Sequence, residues 1–436
     1  MSAERQRDRS GHGGALSESP VPTERVMEEV VERENLKRAL RRVRSNRGGP
    51  GVDGMTVDEL PGHLREHWPA IRGELLKGSY KPQPVKRVEI PKANGGVRKL
   101  GIPTVLDRFI QQAVMQVLQE QWDPTFSEHS FGFRPGRSAH QAVARAQQHV
   151  AEGCKWVVDI DLEKFFDRVN HDVLMSRVAR RVGDKRLLRL IRAYLNAGVM
   201  ENGLVSPANE GTPQGGPLSP LLSNLLLDEL DRELERRGHC FVRYADDCNI
   251  YVASEKAGHR VMASITRFLG KKLRLKVNES KSAVARAGTR QFLGFCFTAR
   301  RRRVSPKAKG RFKKRVRELT RRTKSMRIEV MVERLARYLK GWRAYFGFAE
   351  TPTEFHHLDA WIRRRLRCVI WKQWKRSKTR HRNLRRLGLG HPLAHMTAGS
   401  NRGPWAMSRS KGLQIAIRNA HFDLLGLPRL EPVRGA

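Results

Sequence analysis

Two adjacent aspartates, Asp246 and Asp247, sit inside Phe241-Val-Arg-Tyr-Ala-Asp-Asp-Cys-Asn-Ile-Tyr-Val252. Apolar residues flank them on both sides, the pattern of two short strands joined by a tight turn. Two unit charges about 4 Å apart repel by about 4 kcal/mol at an effective dielectric of 20. A hard divalent cation offsets that repulsion, and Mg²⁺ takes carboxylate oxygens while keeping positions open for substrate phosphates. From this stretch alone, a solvated Asp-Asp turn is the plain alternative. A second acidic pair, Asp159 and Asp161, lies in Trp156-Val-Val-Asp-Ile-Asp-Leu-Glu-Lys-Phe-Phe-Asp-Arg-Val169, which begins as a strand. Residues two apart on a strand project from one face, about 6–7 Å from each other. A metal is again indicated, with one of the two aspartates expected in a supporting or capping role. Phe165 and Phe166 follow, placed to wall a pocket.

Two further stretches are built to meet a ligand. Val85 to Pro103 reads as a hairpin around Asn94-Gly95, a strong turn signal. It sets Lys92 and Arg98 on either side of one turn, where they are placed to grip a triphosphate; a solvated basic hairpin is the alternative. Gly211-Thr-Pro-Gln-Gly-Gly-Pro-Leu-Ser-Pro220 is a Gly/Pro-rich loop running into an apolar helix, Leu221 to Leu234. Small residues there let backbone approach a ligand, and Gln214 is its long polar side chain.

The elements that position these groups alternate irregularly over residues 80–298, as in an α+β domain with a mostly antiparallel sheet. Residues 1–22 are polar and expected to be disordered. A helix is expected from Glu24 to Arg44, then the loop Gly48–Gly54 and a second helix near Val57–Leu76. Helices are also expected after Thr104 and over about Gly258–Leu273, and a strand over Phe292–Phe297. Beyond Arg300 the chain turns to basic helices. Phe312, Val316 and Leu319 mark the first, and Val332, Leu335, Leu339, Trp342 and Phe346 the second, at helical spacing. Thr351-Pro352 reads as an N-cap and N1 proline opening a third, to Arg376. Arg363, Arg364, Arg367 and Lys372 on that helix are expected to bind nucleic acid, because the run of cations around them holds no acid. In residues 377–436 one helix is expected, Gly412–Leu425.

Charge supports that reading. The chain has 436 residues, a formal net charge of +41 and a pI near 11.1. Residues 301–436 hold 36 Lys/Arg against 8 Asp/Glu, net +28, which leaves +13 for the first 300. Such a surplus on one third of a chain implies a polyanionic partner, with nucleic acid first and an anionic membrane surface second. No apolar run approaches the length of a spanning helix, and the N-terminus carries no apolar signal-peptide core. The five cysteines are scattered without a CxxC pair, so neither a zinc ribbon nor a disulfide framework is supported.

Taken in order, these motifs resemble bacterial group II intron-encoded reverse transcriptase/maturases. The resemblance rests on the Lys92/Arg98 hairpin, Phe131-Gly-Phe-Arg-Pro-Gly-Arg-Ser138, the Asp159–Asp167 stretch, the Gly211–Pro220 loop, Tyr244-Ala-Asp-Asp247 and Phe292-Leu-Gly-Phe295. Gly341-Trp-Arg-Ala-Tyr-Phe346 and Trp361-Ile-Arg-Arg-Arg-Leu366 are similar to its maturase, or thumb, segments. Each motif alone is weakly specific; the whole order is strongly so.

The resemblance implies a right-hand-like fingers and palm domain followed by an all-α basic thumb. It divides the chain into a disordered tail (1–22), an N-terminal extension (23–80), fingers and palm (81–300), thumb or maturase helices (301–376) and a basic DNA-binding region (377–436). It assigns Asp161, Asp246 and Asp247 to two catalytic Mg²⁺ ions. Asp161 is preferred to Asp159 because the family's carboxylate stands five residues before the aromatic of Phe166-Asp167. Phe166 then screens the 2′-hydroxyl of an incoming nucleotide, Lys92 and Arg98 hold its triphosphate, Gln214 lies under it, and Phe292–Phe295 grips the primer. The implied partners are group II intron RNA, an RNA template with a DNA primer, target DNA and dNTPs, in a bacterial cytoplasmic ribonucleoprotein. The paired cysteines and histidines of an endonuclease domain are missing, so the endonuclease-lacking lineage is expected. The competing readings are a reverse transcriptase recruited to defence or DNA repair, and an RNA chaperone that has lost polymerisation.

Overall fold

Both acidic pairs ride on one four-stranded sheet in the computed structural model, which describes residues 24–91, 97–201, 204–206, 210–212, 215–323 and 326–431. Along the chain the strands are β1 (Val85–Pro91), β2 (Val97–Ile102), β3 (Trp156–Ile160), β4 (Val199–Glu201), β5 (Leu204–Ser206), β6 (Cys240–Tyr244), β7 (Asp247–Val252), β8 (Ala283–Arg286), β9 (Phe295–Thr298) and β10 (Arg301–Val304). They form sheets ordered β2-β1-β4-β5, β6-β7-β3-β8 and β10-β9. The β6-β7-β3-β8 sheet is antiparallel throughout, as the α+β reading expects. The hairpin of β1 and β2 also forms, although its Asn94-Gly95 turn lies outside the described residues. In the same sheet β1 runs parallel to β4. β4 and β5 were not expected, because runs of three residues show no readable period.

The central sheet separates two cores by the period-2 rule of a strand. Val158, Ile160, Phe241, Cys248, Ile250 and Val252 face one core, shared with the helices Val105–Trp122, Lys185–Asn196 and Ser219–Arg236. Val157, Val242 and Tyr251 face the other, shared with the helix Ala139–Ala151, the Phe292–Val304 segment and the thumb helices. Asp159, Asn249 and Asp247 follow the same alternation, so they lie on the second face. Asp159 pairs directly with Asn249 in the ladder.

Several expected elements differ in detail. The single helix expected over Glu24–Arg44 is two, Val26–Val30 and Arg33–Asn46. The Glu32 carboxylate accepts from the backbone N–H groups of Glu34 and Asn35 at 2.8 and 2.9 Å, capping a fresh start. The helix after Thr104 is Val105–Trp122, and the Thr104 hydroxyl caps it by accepting from Asp107 N–H at 3.1 Å. The thumb helices are Pro306–Leu319, Ile328–Phe346 and Pro352–Gln373. Pro352 stands at the first position of the last of these, but Thr351 makes no side-chain cap.

Among the described residues the tail holds five short helices rather than one: Ser377–Arg386, His391–Gly399, Pro404–Met407, Lys411–Ala416 and Asn419–Leu424. Its buried Leu384, Leu413, Ile417, Phe422 and Leu430 belong to the thumb's own core. Helices this short owe their order to packing, which a local pattern does not reveal.

That packing corrects two expected nucleic-acid contacts. Arg363 is 2% exposed and bonds Asp359 and Asp423, each at 3.0 Å. Arg367 is buried too, donating to the Ile417 carbonyl at 2.8 Å and to Asn419 Oδ1 at 2.9 Å, with its guanidinium over the Phe422 ring. The run of cations lacks acids in sequence, but Asp423 arrives from the tail. Arg363 and Arg367 therefore hold the tail to the thumb, whereas Lys372 stays exposed and Arg364 half-buried.

A fully buried ion pair joins the sheet to its covering helix. Arg243, on β6, is 0% exposed and meets Asp231 at 2.7 and 2.6 Å through two parallel hydrogen bonds. Removing one partner of such a pair strands the other charge, at a cost of about 3–5 kcal/mol. Asp231→Asn is therefore expected to lower unfolding free energy in urea by about that amount. A loss under about 1 kcal/mol, the worth of an exposed pair, would show that the pair does not brace the sheet.

Candidate active site

The turn between β6 and β7 is only Ala245-Asp246, with Tyr244 paired to Asp247 in the ladder. Ala245 takes φ +57°, the left-handed conformation that two-residue hairpin turns require at their first position. A non-glycine residue pays about 1–2 kcal/mol there. The conformation is clamped: Arg243 Nη1 donates to the Ala245 carbonyl at 2.8 Å and to Asn224 Oδ1 at 3.0 Å. Asn224 in turn donates to the Gly132 carbonyl at 2.9 Å. A Cβ on Gly132 would collide with the Tyr244-Ala245 backbone, so the Phe131–Ser138 motif needs glycine at that position. Phe131 N–H reaches the Arg243 carbonyl at 2.9 Å, which ties the same motif to β6.

Asp159, Asp161, Asp246 and Asp247 line one cleft of about 640 Å³, with Lys281, Arg290 and Lys307 on its walls. The structure thus brings all three proposed metal-binding aspartates together. Asp161 lies just past the end of β3. Its N–H donates to Ser282 Oγ at 3.0 Å, its carbonyl accepts from Asn278 N–H at 2.8 Å, and its carboxylate faces Lys281 Nζ at 3.3 Å. Asp159 is spent differently. Arg290 Nε donates to its carboxylate at 2.9 Å, and the same guanidinium bonds the Lys281 carbonyl at 2.6 Å. Asp159 is therefore tied through Arg290 to the loop that presents Lys281.

Electrostatics mark the site as short of positive charge at its centre. Burial first, then the charges of Asp159, Asp246 and Asp161, push the Asp247 carboxyl up to about 8. Burial likewise raises Asp159, against the pull of Arg290. Among the described residues no three acidic, histidine or cysteine side chains already stand at ligand spacing. Lys281 meets Asp161 and Arg290 meets Asp159, so cationic side chains occupy part of the role a metal would take. The donor chemistry nonetheless fits a hard cation: oxygen ligands only, with one carboxyl whose pKa burial first and the neighbouring carboxylates second have raised.

Phe166 lines a second cleft of about 890 Å³, with Leu100, Arg108, Gly215 and Gly216. Its carbonyl accepts from Thr212 N–H at 2.6 Å, and Gly211 N–H reaches the Val169 carbonyl at 2.8 Å, so the Gly/Pro-rich loop is laced to the Phe165–Arg168 turn. Gly211 has φ +93°, and a Cβ there would press on the Asp167 and Phe166 carbonyls; Gly215, at φ +139°, passes the Gly101 carbonyl on β2 as closely. The imidazole of His171, unremarked in the sequence, meets the Gly211 carbonyl at 2.6 Å. Lys92 and Gln214 lie outside the described residues, as does the Arg98 side chain. At Phe292–Phe295 the chain makes a tight turn, with Phe292 bridged to Phe295. Tyr345 of the thumb donates to the Leu293 carbonyl at 2.9 Å, seating this segment against the thumb.

The residues missed in the sequence are Arg243, Asp231, Asn224, Ser282 and Arg290. Arg243 alone left a local signal, a cation at an inward position of an apolar strand.

The profile of the family "Reverse transcriptase (RNA-dependent DNA polymerase)" matches residues 90–297, and that of "Group II intron, maturase-specific domain" matches residues 309–388. Protein YkfC of Escherichia coli (strain K12) is 39% identical over 230 residues, 51% of this chain and 60% of YkfC. Group II intron-encoded protein LtrA of Lactococcus lactis subsp. cremoris is 38% identical over 195 residues, 44% of this chain and 32% of LtrA. The matches thus span less than two thirds of either relative. Among solved structures, a chain of the "Partial Cas6-RT-Cas1--Cas2 complex" superposes with a TM-score of 0.37 at 24% identity, covering 57% of this chain and 43% of that one, a likeness too loose to bear on function. On its two adjoining profiles, the chain carries a reverse transcriptase domain followed by a group II intron maturase-specific domain, and it is similar to group II intron-encoded protein LtrA.

Proposed function

We propose that the chain is an RNA-directed DNA polymerase that extends a DNA primer on an RNA template, and a maturase that binds its group II intron RNA to assist splicing and mobility. The observation that carries the polymerase reading is the gathering of Asp161, Asp246 and Asp247 in one cleft within the reverse transcriptase region. A chaperone without chemistry gains nothing from holding three like-charged carboxylates in one cleft. The maturase reading rests on the matched domain and on the basic last third of the chain. No described helix is long and apolar enough to cross a membrane. We place the protein in a ribonucleoprotein of the bacterial cytoplasm, with dNTPs and target DNA as its further ligands.

In this reading Asp161, Asp246 and Asp247 hold two Mg²⁺ ions, which when bound supply charge neutralisation at the primer 3′-hydroxyl and the pyrophosphate leaving group. The chain's own residues position the reactants. The Arg243 clamp fixes the Asp246–Asp247 turn, and the Ser282 and Asn278 bonds fix the backbone that carries Asp161. Phe166 closes the sugar side of the nucleotide, Lys92 and Arg98 take its triphosphate, and Gln214 lies beneath it. Arg364 and Lys372 remain our assignment for nucleic-acid contact in the thumb.

Asp246→Asn and Asp247→Asn are each expected to leave the fold intact and to cut primer extension on RNA with Mg²⁺ by about a thousandfold or more, since the metal site supplies several kcal/mol. Near-normal cDNA synthesis by either variant would remove that residue from the mechanism.

Without metal, Asp247 keeps its proton in the folded state up to about pH 8, whereas the unfolded chain releases it near pH 4. Between these values the unfolded state binds fewer protons, so this group's contribution to stability falls as pH rises from about 4 to about 8. Denaturation in chelator at the two ends of that window should show wild type losing more stability than Asp247→Asn. Equal losses would mean that Asp247 ionises normally.

Phe166→Ala is expected to raise the rNTP-to-dNTP efficiency ratio about tenfold or more, as a steric gate of methylene scale or larger would. An unchanged ratio would shift the gate to another residue.

A further inference from the structure

A second cationic concavity lies far along the chain from the carboxylates, between the thumb helix Pro352–Gln373 and the tail. It measures about 660 Å³, within the range of about 300–1,000 Å³ typical of small-ligand pockets. His357, Trp361 and Arg364 form one wall, at the i, i+4, i+7 spacing of a single helix face. Arg409, Gln414 and Arg418, all exposed, form the other. Arg367 lies at its floor, and no carboxylate lines it among the described residues.

The way these arginines are held is informative. Arg364 donates to Ser408 Oγ at 3.2 Å and to the Trp405 carbonyl at 3.1 Å, with its guanidinium 3.7 Å from the centroid of the Trp405 ring. Arg418 Nε donates to the Ile415 carbonyl at 3.3 Å, and Arg367 to the Ile417 carbonyl and Asn419. Every one of these acceptors is neutral. Arg363, one residue before Arg364, bonds two carboxylates, so acids are at hand in this region and still do not enter the concavity. Burial, and after it the nearby Arg409, lower the pKa of Arg364. Gathered guanidiniums positioned by neutral groups lack an anion, and the Trp361 ring lines the same concavity, with the Arg365 and Arg317 guanidiniums 5.4 and 5.7 Å from its centroid.

We propose that this concavity holds one unpaired nucleotide of the bound nucleic acid, with its phosphate on Arg364, Arg409 and Arg418 and its base against Trp361. The proposal rests on the nucleic-acid reading given above and adds a strand state to it. A duplex presents phosphates but keeps its bases stacked inside, so it has no use for the ring. A base that has left its stack is stabilised by stacking on an aromatic side chain, whatever the base. Single-stranded loops and ends are also where proteins read RNA. A free nucleotide offers the same chemistry, and binding separates the two sources.

The test uses the unaltered full chain and two RNA stems, one blunt and one carrying a short single-stranded tail with 5-iodouridine. Irradiation followed by peptide mapping is expected to attach the tail to the Trp361 peptide, and attachment only elsewhere overturns the proposal. In parallel, Arg409→Gln/Arg418→Gln is expected to bind the tailed stem about tenfold more weakly. Its slope of log affinity against log salt should be shallower by about 0.7, the value for one single-strand phosphate contact, while the blunt stem loses less than threefold. Equal losses on both stems would reduce the arginines to general attraction and overturn the site. Binding of a nucleoside monophosphate alone, with no preference of wild type for the tailed stem, would assign the pocket to a free ligand and overturn it equally. If neither stem binds the wild-type chain, the nucleic-acid reading falls with it; if both bind without preference, only this site falls.

Discussion

The buried pair of Arg243 and Asp231 is the constraint on which the proposed catalytic centre hangs. A charge at 0% exposure is tolerable only when its donors are satisfied. Arg243 meets that condition by spending them on the three things that need fixing. Two bonds to Asp231 lock the strand to the Ser219–Arg236 helix, one to Asn224 reaches the Phe131–Ser138 motif through Gly132, and one to the Ala245 carbonyl clamps the left-handed turn. The alternation of β6 directs Arg243 to the helix side of the sheet. Asp247, on the facing strand, is directed to the other side. One side chain thus works from behind the sheet to hold carboxylates presented in front of it.

In front, the acids are handled by position. Asp159 and Asp161 share a face, yet they meet different cations and have different surroundings. Asp159 is the more enclosed and is tied to Arg290, which also orders the Lys281 backbone. Asp161 sits past the strand end, where its carboxylate stays accessible and its backbone is held by Ser282 and Asn278. One carboxylate is thus tied by Arg290, and the other faces Lys281 from a more accessible position. Asp247 carries the electrostatic load of the arrangement, kept protonated near neutrality by burial and by its three neighbours.

The basic last third divides its cations in a similar way. Arg302 and Arg303 pair with Glu350 and Glu354, which fastens β10 to the thumb. Arg363 and Arg429 converge on Asp423, which fastens the tail. Surplus charge is what remains after these internal pairs are closed. It stays on residues such as Lys372, Arg409 and Arg418, which are exposed. Net charge measured along the sequence therefore identifies the kind of partner, while the pairing pattern decides which side chains are left to meet it.

By itself the sequence determined the elements whose signal is local. The β6–β7 hairpin, the strand at Trp156, the helix after Thr104 and the three thumb helices were legible, because alternation, capping residues and helical spacing are short-range properties. The candidate aspartates were legible for the same reason: like charges set side by side in an apolar strand context declare themselves. Tertiary structure alone decided the rest. The partners of Arg243 and Asp159 come from residues 12 and 131 positions away, and no local pattern encodes such a pairing. The three-residue strands β4 and β5 and the short tail helices exist because neighbours stabilise segments too short to order themselves. Arg363 and Arg367 show the limit most plainly. Their spacing on a cationic helix read as an exposed surface, but whether an arginine faces solvent or a carboxylate depends on what the remote tail brings against it.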